Sequence, residues 1–66
     1  MALTNEQDFF ILLLEEYAEY KDKSASQILS IWKENNLISY INEMYDLYHI
    51  ERLENAFEDI DEKLAM

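Results

Sequence analysis

Cysteine, glycine and proline are all absent from this 66-residue chain. Without cysteine there is no disulfide, no thiolate metal site and no cysteine nucleophile. Without glycine there is no phosphate-cradling loop and no nucleophile elbow, and losing proline as well removes most tight hairpin turns. Cations are scarce: five lysines and arginines face fifteen aspartates and glutamates, for a net charge of −10. A nucleic-acid binder neutralises phosphates with lysine and arginine, so direct nucleic-acid binding is not expected here. Anionic membrane surfaces repel the chain for the same reason. Long apolar runs are also missing. The run Phe9 to Leu14 falls short of the ~7–15 residues of a signal peptide's apolar region and has no base before it. It is shorter still than the ~20 residues that span a bilayer. The expectation is a cytoplasmic protein with no membrane association.

Half of the residues are hydrophobic, which argues for a folded chain despite the charge. The length allows one domain, residues 1–66, burying roughly 60% of its unfolded surface. A core that thin often leans on a disulfide, a metal or a partner. The acids are uneven. Residues 1–22 hold six acids and one base, residues 23–48 three and two, and residues 49–66 six and two. Two strongly negative ends around a nearly neutral middle suit either solubility or the steering of a basic partner.

Four helices are expected. Thr4 and Gln7 have the spacing of a capping box and start a helix of about Asn5 to Asp22; Ser24 and Gln27 repeat that spacing for a second helix to about Asn35. Asn35–Asn36 is the best stop in a chain without glycine, because asparagine tolerates the left-handed conformation at a helix end. A third helix fits Leu37 to Tyr48 and a fourth about Ile50 to Leu64. In the fourth, Leu53, Ala56, Phe57, Ile60 and Leu64 make one apolar stripe. The fold class is therefore all-α, a compact bundle of four short helices that is self-associating or partner-bound.

Two of these helices carry more apolar surface than one seam needs. Six consecutive apolar residues cannot share a face at about 100° per residue. Phe9, Phe10, Leu13, Leu14, Tyr17 and Tyr20 make a coherent stripe, which leaves Ile11 and Leu12 toward the side of Asp8, Glu15 and Glu19. In the third helix, apolar residues from Leu37 to Tyr48 cover about half the cylinder, beyond the ~100° stripe of a surface helix. A central helix touched on two sides accounts for both in a monomer; a dimer or a bound partner accounts for them equally well. Trp32 and the tyrosines 17, 20, 40, 45 and 48 read as an aromatic interior, with Tyr48 and His49 the pair expected to be half exposed. Ile11, Leu12, Tyr48 and His49 are the candidate partner contacts.

Sites for chemistry are weak. His49 is the only histidine, and with Asp46 three residues before it there are too few ligands for a metal. None of Ser24, Ser26, Ser30 or Ser39 gains a triad and an oxyanion loop. Glu58, Asp59, Asp61 and Glu62 lack the glycine-centred loop that calcium requires and read as a solvated helix face. A helix-turn-helix fails because residues 37–48 contain no base and the second helix offers only Lys33. No cofactor, metal or catalytic residue is assigned, and an enzyme is not expected.

The opening Asn5 to Tyr17, with its acidic and aromatic residues and its Glu15–Glu16–Tyr17, is similar to the start of a family of short bacterial domains of unknown function. Leu37–Ile41, the segment Tyr45-Asp46-Leu47-Tyr48-His49, and Glu58 to Glu62 resemble that family's later motifs. The resemblance covers nearly the whole chain. The family usually continues its histidine with threonine and glutamine, where this chain has Ile50 and Glu51. Genes of the family often neighbour ADP-ribosyltransferase-like toxin genes, so the resemblance implies an antitoxin or accessory role. The function expected is a non-catalytic protein–protein interaction module, an antitoxin-like inhibitor or accessory protein of a bacterial toxin. The alternatives are an acidic nucleic-acid mimic that blocks a basic protein, and a structural homodimer.

Overall fold

The computed structural model describes residues 6–64, and within them all regular secondary structure is helical, joined by short turns. The helices are α1 (Glu6–Tyr20), α2 (Ala25–Glu34), α3 (Leu37–Glu43), α4 (Tyr45–Tyr48) and α5 (Leu53–Leu64). The radius of gyration is 11.0 Å, against about 10.8 Å expected for a compact chain of this length.

The helix ends follow local chemistry. Thr4, half of the first expected capping box, lies outside the described residues. The second box is present: the Ser24 hydroxyl accepts from the Gln27 amide at 3.1 Å, and the Gln27 side chain accepts from the Ser24 amide at 2.9 Å. Two donors at the helix start are satisfied reciprocally. At the end of α1, Asp22 adopts a left-handed φ of 58°. The Asp22 amide donates to Glu19 O and the Lys23 amide to Ala18 O, the paired bonds of a Schellman ending. Asn36, also at φ 58°, ends α2 as expected. Both left-handed positions, where glycine is the usual residue, carry the short polar side chains that tolerate it best.

The bundle differs from the expected four helices at one place. The helix predicted over 37–48 breaks at Met44, whose φ of −86° and ψ of 4° lie outside the α region and whose amide is shared between Tyr40 O and Ile41 O. Apolar residues spread around half a cylinder cannot all face one core from a straight helix. The break re-phases α4, so that Tyr48 is buried and Tyr45 packs edge-on against Phe9, centroids 5.7 Å apart. The last helix begins at Leu53 rather than near Ile50, which is outside the apolar stripe and 72% exposed.

The core is one cluster in which α1 is central. Phe9, Leu13, Tyr17 and Ala18 of α1 are buried with Ile28 and Trp32 of α2, Leu37 and Ile41 of α3, Tyr48 of α4, and Ala56, Phe57 and Ile60 of α5. Rings tie α1 to three neighbours: Phe10 to Trp32 at 5.7 Å, Phe9 to Tyr45, and Tyr17 to Phe57 at 5.6 Å. Contact with several helices thus takes up the main stripe of α1, while of the surplus pair Leu12 is half-buried and Ile11 stays exposed. Trp32 is completely buried, and its indole Nε1–H has no hydrogen-bond partner among the described residues.

Two carboxylates fasten α5 to this core. Asp59 accepts from the phenols of Tyr40, at 2.5 Å, and Tyr48. Asp61 accepts from the Tyr17 phenol at 2.5 Å and pairs with Lys21 Nζ at 2.9 Å. Two residues apart on a helix, these carboxylates diverge by about 200° and straddle buried Ile60. The expectation of a solvated face at 58–62 is corrected here: Glu58 and Glu62 are exposed, but Asp59 and Asp61 are half-buried and bonded.

Candidate functional site

Most of the aromatic surface is consumed in the core, so the residues left outside it define the site. Ile11 is 53%, Tyr20 55%, Leu47 45% and Ile50 72% exposed, Tyr20 lying apart at the end of α1 with its ring stacked on Phe57. Two open depressions flank the first half of α1. One, of about 590 Å³, is lined by Gln7, Asp8, Phe10 and Ile11 of α1 with Ile38 and Asn42 of α3. The other, of about 250 Å³, is lined by Phe9 and Leu12 of α1, Tyr45, His49, Glu51 and Leu53.

The expected contact residues are therefore divided. Leu12 and His49 meet in the smaller depression, and Ile11 lines the larger one. Tyr48 does not join them. It was expected to be half exposed and is only 2% exposed, because the break at Met44 turns it inward to Asp59. His49 caps the C-terminal end of α4. Its ring stacks on Tyr45 with centroids 4.5 Å apart and planes 8° from parallel, and Nδ1 lies 2.6 Å from Tyr45 O. That contact uses one ring nitrogen on the backbone and fixes the imidazole flat against the phenol. The i, i+4 spacing of Tyr45 and His49 was the available signal for this pair. Phe9, Phe10 and Leu53 belong to the expected apolar stripes, and nothing in their spacing marks them as lining a depression; Ile38 belongs to the surplus apolar surface of the expected third helix.

The electrostatics of the tyrosines belong to the scaffold. Burial, then the hydrogen bond to Asp61, pushes the Tyr17 phenol well above its ordinary range. Burial and the bond to Asp59 do the same for Tyr48, and the bond to Asp59 leads the rise at Tyr40. Partial burial acts to raise the Asp59 carboxyl, but the Tyr40 and Tyr48 phenols and the nearby Lys63 ammonium outweigh it and hold the group below the usual carboxylate value. Asp61 is lowered likewise, with burial opposed by Tyr17 and Lys21. These phenols are locked as donors. Among the described residues no group of three or more His, Asp or Glu is placed to hold a metal ion, and no helix is long and apolar enough to cross a membrane.

The fold and surface define a small all-helical protein with an aromatic core and an apolar, acid-rimmed flank beside its first helix. A family model for proteins of unknown function, DUF3791, matches residues 8–65, and the chain belongs to that family. No curated protein and no solved structure matches it.

Proposed function

We propose that this chain is a non-catalytic protein–protein interaction module, acting as an antitoxin-like inhibitor or accessory protein of a bacterial toxin. The observation that carries the binding role is the apolar surface left in water: exposed Ile11 in one depression, Leu12 and His49 in the other, and exposed Leu47 and Ile50 on either side of His49 in the chain. Soluble monomers rarely leave such surface in contiguous patches without a use for it, and an aromatic ring beside an aliphatic recess is a common anchor arrangement. The toxin connection rests on the resemblance of Asn5–Tyr17 and of the Tyr45–His49 segment to a family whose genes neighbour toxin genes. Glu54, Glu58 and Glu62, exposed at every fourth position of α5, favour the second reading, a nucleic-acid mimic, because they form a row of carboxylates about 6 Å apart.

A tagged chain, its Leu12→Asp variant and its Ile11→Asp variant are to be used for capture from native lysate at low and high salt, with circular dichroism to check helicity. One stoichiometric toxin-like protein, retained at high salt and lost with either folded variant, is the expected result. Retention of basic nucleic-acid-binding proteins at low salt alone supports mimicry instead. Recovery of only the chain itself, as an oligomer, rejects the inhibitor reading.

A further inference from the structure

Resting on the interaction reading above, we infer that the occupant of the flank beside α1 is a cationic amphipathic helix of a partner protein. Three observations select it. The first is apolar anchorage on both sides of one ridge: Phe10, Ile11 and Ile38 in one depression, Phe9, Leu12 and Leu53 in the other. An occupant that bridges the two depressions presents apolar side chains along one stripe, the pattern of an amphipathic helix. Strand addition has no sheet edge to use, since the described residues contain no strand.

The second is the sign of the surroundings. Asp8 and Glu51 line the depressions, and Glu15, Glu16 and Asp46 are exposed within four residues of Ile11, Leu12 or His49 along the chain. No lysine or arginine lines either depression. The base nearest in sequence, Arg52, is paired with Glu54 at 3.8 Å. Lysines and arginines flanking the partner's apolar stripe complement this rim, speed encounter and reject acidic competitors.

The third observation weighs against the simplest rival. A second copy also carries a charge of −10, so pairing the two flanks sets acid against acid across the contact. Like charges placed opposite one another oppose association.

The probe is a synthetic leucine–lysine peptide of about 18 residues, which forms an amphipathic helix ~27 Å long, comparable with the 32 Å long axis of the protein. Two control peptides replace every lysine with glutamate or every leucine with serine. Each is titrated into the isotope-labelled full chain while amide shifts are followed, and sedimentation of the chain alone reports self-association. The expected result is saturable shifts centred on Ile11, Leu12, His49 and Leu53. Ile11→Asp and the serine control should each weaken binding by about tenfold or more, and the glutamate control should not bind. Shifts centred on Glu54, Glu58 and Glu62, or equal binding by the serine control, overturn the inference by reducing the contact to charge alone. Binding of the glutamate peptide at Ile11 and Leu12, or self-association that covers those amides, rejects the cationic occupant but keeps the interaction surface. A chain that is monomeric and silent to all three peptides at those amides removes both.

Discussion

Asp59 shows how much one carboxylate can hold in a chain of this size. It accepts two phenols from two different helices, α3 and α4, while Asp61 accepts a third from α1. Hydrogen bonds to an ionised acceptor contribute about 1.5–3 kcal/mol, and a buried hydroxyl left without a partner costs about 1–3 kcal/mol. Tyr48 is 2% exposed, so Asp59→Ala strands its hydroxyl, whereas Tyr48→Phe removes the hydroxyl together with its need for a partner. Asp59→Ala is therefore expected to lower stability by about 2–3 kcal/mol and Tyr48→Phe by about 1–2 kcal/mol. Urea unfolding of both variants checks the order, and equal losses would show that the stranded hydroxyl finds another acceptor. None of this was legible in the linear pattern. Glu58, Asp59, Asp61 and Glu62 read as one charged run. The difference between the middle pair and the outer pair appears only once tyrosines from three other helices are brought beside them.

At the scale of the helices, the signals that survive are those with local chemistry. The Ser24–Gln27 box, the left-handed stop at Asn36 and the stripe of Ala56, Phe57 and Ile60 are each carried by residues within a turn or two of one another, and each stands where expected. The break at Met44 was not legible, because no proline, glycine or capping residue marks it; it follows from which way Tyr45 and Tyr48 must point to meet Phe9 and Asp59. The candidate contacts divide on the same line. Ile11 and Leu12 sit outside the seam by the arithmetic of one straight helix, and the structure leaves one exposed and the other half-buried. Tyr48 lies beyond the break, where that arithmetic no longer holds. The α1 ending yields a further test. Asp22 occupies a left-handed position that glycine fills without a Cβ penalty. Asp22→Gly is expected to stabilise by about 0.5–1 kcal/mol, with a melting temperature higher by roughly 4–8 °C per kcal/mol, and Asp22→Ala to destabilise. A calorimetric scan in which alanine and glycine behave alike would argue against the Schellman ending.

For the whole molecule, the tyrosine–carboxylate bonds set the pH range of stability. Asp59 and Asp61 have folded values below the ordinary carboxylate value of ~3.9. Their contribution is fully present above that value and is lost as the pH falls through the folded values. Tyr17, Tyr40 and Tyr48 are raised above the ordinary ~10, so their contribution is present below it and fades as the pH rises beyond. Helical melts are expected to hold between about pH 5 and 9 and to fall on both sides, with Asp59→Asn flattening the acid limb. An acid limb identical in that variant would place the loss elsewhere. Every one of these melts can be watched from a single interior point. Trp32 is the only tryptophan, fully buried and packed against Phe10 and Tyr17, with no acceptor for its indole N–H among the described residues. It is a built-in fluorophore buried against aromatic rings, so its emission should begin to the blue and move red when α1 and α2 separate, making loss of the core visible without any label.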